Sequence, residues 1–164
     1  MVWKTQRTLL LVGEGADEWA FLTHVKGLFI SRGCGLSLKI KNAQGKGAKH
    51  VVEWTVRQKA IAAYDTVAVL ADTDTDWSDS VSRLAAKKKI HLLLSEPCFE
   101  ALMMRILKED PTGDASTLKK RFAPFVKDDA TQSENYMRYF GRDRLLESRS
   151  YVPTIDMLLS LLGL

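Results

Sequence analysis

Hydrophobic positions divide residues 7–108 into short apolar runs alternating with longer stretches in which apolar residues recur at helical spacing. Residues 7–12 are apolar from Leu9 onward and stop at Gly13-Glu14-Gly15, which predicts a strand covered on both faces. Residues 16–31 carry Phe21, Leu22, Val25, Leu28 and Phe29 on one helical stripe, closed by Arg32-Gly33-Cys34-Gly35. Residues 36–41 alternate apolar and polar, as a strand near a sheet edge does. The loop Gln44-Gly45-Lys46-Gly47-Ala48-Lys49 then leads into a predicted helix with Val52, Val56, Ala60 and Ala63 along one face, ended by Asp65. Thr66-Val67-Ala68-Val69-Leu70-Ala71 is a buried strand by its run of small and β-branched residues. A helix over 80–88 turns Val81, Leu84 and Ala85 inward and closes in Lys87-Lys88-Lys89, where cations suit a helix C-terminus. Residues 90–94 form a further strand, and Ser95-Glu96-Pro97 opens a helix that buries Phe99, Leu102, Met103 and Ile106.

Strand and helix in alternation imply an α/β fold: a Rossmann-like, mostly parallel sheet flanked by helices over residues 1–110. Pro111-Thr112-Gly113-Asp114 breaks the pattern. Beyond it, residues 111–164 read as a helical extension of the same domain, with helices over 116–126, 133–140 and 153–162. The last helix has Ile155, Leu158, Leu159 and Leu162 on one stripe and is expected to be buried.

Length and composition narrow the picture only a little. The 164 residues suit one domain with a proper core, and 46% hydrophobic with 27% charged residues is a soluble composition. Two cysteines, Cys34 and Cys98, make no disulfide framework, and the three histidines have no metal-ligand spacing, so a reducing cytoplasm is expected. The run Leu9-Leu10-Leu11-Val12, preceded by Lys4 and Arg7, is cut short by Glu14 and Asp17, which is too short for a leader, and no membrane span is expected.

The candidate chemistry lies in the acids. Asp72, Asp74, Asp76 and Asp79 stand within eight residues directly after a strand. Like charges so close repel one another unless a cation offsets them. A calcium loop starting at Asp72 would need Gly and Glu where Trp77 and Arg83 stand. A helix cap accounts for Asp79, and it leaves Asp72 and Asp74 unexplained. In a parallel sheet the strand ends share one rim, so Glu14, the Asp72–Asp76 group, Glu96 and Glu100 are all expected there. Glu18 sits one turn into the first helix within reach of that rim, whereas Asp17 reads as favourable charge at a helix start.

Mg2+, or Mn2+, fits such oxygen donors. An acid pocket in a protein of net charge +4 suits a polyanion held beside a metal. Lys46 and Lys49 are placed to hold its phosphates, with Lys119, Lys120, Arg121 and the 138–142 stretch extending the track. Other chemistries lack their patterns. Gly45-Lys46-Gly47 is no nucleotide P-loop, Gly13 and Gly15 lack the third glycine of a dinucleotide fingerprint, no Gly-x-Ser-x-Gly elbow is present, and Cys98 reads as packing.

Three blocks together carry a family resemblance: Gly13-Glu14-Gly15-Ala16-Asp17-Glu18-Trp19-Ala20-Phe21, Val69-Leu70-Ala71-Asp72-Thr73-Asp74 and Ser95-Glu96-Pro97-Cys98-Phe99-Glu100. In order and spacing they resemble the RloB-like branch of the Toprim (topoisomerase–primase) superfamily, across about residues 7–108. The resemblance implies a Toprim fold, a divalent metal at Glu14, Asp72 and Asp74, and hydrolysis of nucleic-acid phosphodiesters, DNA ahead of RNA. A second ion would draw on Asp76, Glu18 or Glu100, and Glu14 could instead serve as general acid or base. Relatives of this kind are linked to anti-phage defence beside a separate ATPase. Glu96, Asp17, Leu102 and Ile106 depart from the family pattern, which carries Asn, Thr, Trp and His there. A non-catalytic nucleic-acid-binding or regulatory subunit that works with the ATPase, alone or as an oligomer, is the rival expectation, and a phosphatase using the same carboxylates is a third.

Overall fold

A computed structural model describes residues 6–164; Met1–Thr5, with the Lys4 of the leader question, lie outside it. Four parallel strands form one sheet in the order β2-β1-β3-β4: β1 Arg7–Gly13, β2 Leu36–Asn42, β3 Thr66–Asp72 and β4 Ile90–Ser95. Helices α1 Ala16–Phe29, α2 Gly47–Ile61 and α3 Asp79–Lys87 connect them. The Rossmann-like α/β expectation holds, and the alternating strand 36–41 is indeed an edge.

Strand pleat sorts the apolar residues into two layers. Leu9, Leu11, Ala68, Leu70 and Leu93 face α1 and the C-terminal helices, while Leu10, Val12, Val67, Val69 and Ala71 face α2 and α3. Each fully buried leucine or valine contributes roughly 2 kcal/mol by leaving water, so a strand apolar at every position is stable only with helices on both faces.

On the first face lie α4 Phe99–Ile106, α5 Ala115–Phe122, α6 Arg142–Ser148 and α7 Pro153–Leu161. Phe21, Phe99, Phe122, Tyr136 and Phe140 meet edge to face or tilted, with ring centroids 5.6–6.4 Å apart, and join this extension to the sheet. The α7 stripe of Ile155, Leu158, Leu159 and Leu162 is buried as expected.

Several boundaries differ from expectation. Helix α2 stops at Ile61 and buries Ala48, Val51, Val52 and Thr55, leaving Ala60 and Ala63 exposed. Helix α4 starts at Phe99 and not at Ser95: Glu96 and Pro97 form a bend whose Pro97 carbonyl accepts the amides of Thr73 and Asp74, and Cys98 is extended. The expected helix over 133–140 is one 3-10 turn, Ser133–Tyr136, and the expected helix 116–126 passes into a second, Ala123–Val126, at Pro124. Helix α6 was not foreseen.

Candidate metal centre

Strand order reverses between β1 and β3, so the crevice beyond their carboxyl ends is the place where open α/β sheets take ligands. Gly13 ends β1 there. A Cβ at this position would lie 2.8 Å from the Trp19 nitrogen and 3.0 Å from the Glu18 Cβ, so only glycine lets the first turn of α1 close down on the strand end. That approach brings Glu18 over the sheet, where its Oε2 accepts the Gly15 amide at 3.1 Å.

Glu14 is the next residue. Its amide donates to the Leu70 carbonyl at 3.1 Å, and its Oε2 accepts the Asp72 amide at 2.8 Å; the nearby Gly47 amide also favours the charged carboxylate. Asp72, the last residue of β3, completes the group. Among the described residues, Glu14, Glu18 and Asp72 each bring a carboxylate oxygen within 4.8 Å of the others.

These acids have left water without gaining cations. Burial pushes the Glu18 carboxyl up to about 7, with Glu14 and Asp17 adding repulsion. Burial, then Glu18 and Glu14, push Asp72 up to about 9. Glu14 is raised by burial and by Asp74, partly offset by its two backbone amides. Asp72 Oδ1 and the Oγ of Ser95, its register partner on β4, are buried and lack hydrogen-bond partners among the described residues. Among the described residues the ion pairs lie elsewhere: Arg149–Asp156 is within the extension and Lys108–Glu147 joins the end of α4 to it. Hard oxygen donors, an orphaned buried oxygen and acids whose ionised forms no neighbouring cation stabilises together fit a metal ion, which Glu14, Glu18 and Asp72 can hold.

The cleft in front of this group measures about 420 Å³ and is walled by Asp17, Asp74, Glu100, Cys98 and Lys119. Glu100 is buried in that wall, whereas Asp74 is exposed at its mouth and accepts the Thr75 hydroxyl. Both remain near the centre without joining the close trio. Asp76 takes a left-handed φ of 59° and packs its Cβ toward Gly47 at the start of α2. Glu96 faces another recess, beside Arg105 and Thr154. The Cys98 thiol, raised to about 11 by burial, stays protonated, in keeping with a packing role.

Among the basic residues, Lys119 reaches the acid cleft from α5, with Lys120 exposed beside it. Arg121 instead donates to the carbonyls of Thr112 and Asp110 and ties down the loop before α5. Lys46 caps α2 and Lys49 is exposed one turn on. Arg142 of the 138–142 stretch stacks on Phe29 and donates to the Leu28 carbonyl.

Sequence reasoning gave no role to Gly47 or Ser95. The signal for Gly47 was the loop's glycine spacing; for Ser95, a polar residue closing an apolar strand in register with Asp72.

No family model, curated protein or solved structure matches this chain. Among the described residues no helix is long and apolar enough to cross a membrane.

Proposed function

We propose that the protein hydrolyses phosphodiester bonds of nucleic acid with a divalent metal, Mg2+ or Mn2+, as a Toprim-type nuclease. The observation that carries this reading is the convergence of Glu14, Glu18 and Asp72 at the switch point with Asp72 Oδ1 buried and unpartnered. Bound there, such an ion supplies Lewis-acid polarisation of the phosphodiester and a lowered pKa for an attacking water.

The chain's own residues do the rest. Glu14 is held by the Asp72 amide, with the Gly47 amide close enough to favour its charged form, so its carboxylate is oriented without an ion. Glu18 and Asp72 release protons on binding, which makes affinity rise with pH. Asp74 extends the acid set to the cleft mouth, and Lys119 on the opposite wall offers a cation to a phosphate. The family resemblance adds a role in anti-phage defence beside a separate ATPase.

The test is cleavage of supercoiled plasmid, single-stranded DNA and RNA with Mg2+, Mn2+ or chelator, alongside Asp72→Ala. We expect metal-dependent cutting that drops roughly a hundredfold or more in the variant while its fold persists. Metal binding without cutting of any substrate would overturn catalysis in favour of the ATPase-dependent regulatory subunit.

A further inference from the structure

A second recess lies on the same rim, at the free edge of the sheet. It measures about 250 Å³ and is walled by Asn42, Ala43, Gln44, Lys46, His50 and Trp54. His50 and Trp54 are four residues apart on α2 and so share one stripe along the helix, which Lys46 precedes as the N-cap. That stripe continues to Gln58, whose side chain accepts Lys41 Nζ of β2 at 2.7 Å. Lys39 precedes Lys41 on the same face of the edge strand, so the recess opens onto a basic border.

The local hydrogen bonds leave this recess with donors to spare. Asn42 Oδ1 accepts the Gln44 amide at 2.7 Å, and the Asn42 NH2 makes no hydrogen bond among the described residues. His50 Nε2 meets the Ala43 carbonyl at 3.3 Å, and a nitrogen donating there leaves Nδ1 as an acceptor. Among the described residues neither the Gln44 side-chain amide nor the Lys46 ammonium has a partner.

The recess is joined to the metal centre by one turn of chain. Gln44, Gly45, Lys46 and Gly47 all have positive φ, from 65° to 86°. Within that left-handed turn alternate residues serve different sites. The Gly45 amide donates to the Glu14 carbonyl and the Gly47 amide serves the Glu14 carboxylate, while Gln44 and Lys46 line the recess.

We propose that this recess binds one unpaired nucleotide of a single-stranded nucleic acid whose neighbouring phosphate lies at the metal centre. Trp54 offers the stacking surface, Asn42, Gln44 and His50 offer donors and acceptors for a base edge, and Lys46 holds the phosphate between. A paired base has its faces covered by its neighbours and its edge occupied, so the occupant is single-stranded. This rests on the nuclease reading and sharpens it to substrates with an unpaired stretch beside the cut.

The test is fluorescence anisotropy of labelled oligothymidylate and oligouridylate, about fifteen nucleotides long, and of a duplex of equal length, with Ca2+ replacing Mg2+. Trp54→Ala should weaken single-strand binding about tenfold, and Trp54→Phe far less because an aromatic face remains. Lys46→Ala and Gln44→Ala change exposed residues and serve if Trp54→Ala does not fold. The lysine variant should also lower the slope of log K against log salt by about 0.7. Wild-type affinity in a folded Trp54→Ala protein, or equal affinity for duplex and single strand, would overturn the recess and leave the nuclease reading standing. Failure of the wild-type protein to bind any oligonucleotide while still binding metal would overturn both.

Discussion

The acids of the cleft and the turn-closing acids of residues 110–129 are the same residue types in opposite circumstances. Asp110 accepts both the amide and the hydroxyl of Thr112, Asp129 does the same with Thr131, and Asp114 accepts the Thr117 amide at the start of α5. Each is solvent-exposed, and these hydrogen bonds hold its carboxyl below the usual range. In the cleft, burial and mutual repulsion raise Glu14, Glu18 and Asp72, and one Asp72 oxygen is without a partner among the described residues. Carboxylates that close local turns stabilise the chain by themselves. Those of the cleft oppose folding wherever they are ionised, a cost that a bound cation would relieve and that a cap does not carry.

The largest way to break that contrast is to titrate the metal-free protein. Glu18 and Asp72 have folded pKa values above their unfolded ones, so their contribution is intact at acid pH and is lost as pH rises through about 7 and about 9. Glu18 alone accounts for about 3 kcal/mol across that span. Denaturant unfolding should therefore show falling stability from about pH 5 to pH 9. Mg2+ or Mn2+ should restore it at the alkaline end, by about 3 kcal/mol at a hundredfold excess over Kd. Glu18→Gln combined with Asp72→Asn should flatten the profile and abolish the metal effect. A wild-type profile that is flat over this range, with or without metal, would mean that the two sets of acids do not differ.

A smaller effect tests how Glu14 is held. Gly47 has φ near 86°, and a Cβ there would sit 3.0 Å from the Asp76 Cβ and 3.2 Å from the Thr75 carbonyl oxygen. Gly47→Ala should cost roughly 1–3 kcal/mol through that strain. As the turn shifts, the amide serving Glu14 moves with it, so metal affinity should also fall, by about tenfold. Calorimetric metal titration of the folded variant reads the second effect apart from the first. Lost stability with unchanged metal affinity would show that the Gly47 amide does not position Glu14.

These relations were unequally legible in the sequence. The four strands and the convergence of Glu14 with Asp72 followed from apolar runs and from the geometry of parallel sheets, because both depend on local pattern and strand direction. Glu18 was within reach on helical spacing, yet its closeness depends on the missing Cβ of Gly13, a tertiary approach that spacing does not encode. Asp76 read as a ligand for a second ion in the Asp-x-Asp-x-Asp run, behind Asp72 and Asp74. Its own left-handed φ places its Cβ beside Gly47 on the α2 side, an approach between residues far apart in sequence. Residues 133–140 have helical spacing of aromatic residues, but Tyr136 and Phe140 are committed to the core cluster around Phe21, and packing left one 3-10 turn. Arg121 resembled part of a phosphate track because its carbonyl partners at Asp110 and Thr112 are backbone atoms, which no side-chain pattern reveals.

The smallest test takes the other side of the contrast. Asp114 accepts the Thr117 amide at 2.7 Å and so caps α5, the helix that carries Lys119 to the cleft. Its carboxyl is lowered, so its contribution is present above the unfolded aspartate pKa and is lost as pH falls through the folded one. Asp114→Ala should lower the melting temperature by a few degrees at neutral pH, and the difference from wild type should shrink below about pH 4. The pH dependence thus runs opposite to that of the cleft, where acid protects. Because Leu118 and Phe122 anchor α5 in the core independently of its cap, metal affinity should stay within about twofold of wild type. A larger loss of metal affinity in Asp114→Ala would mean that the cap of α5 and the acid cluster are coupled through Lys119, so that the extension takes part in building the centre.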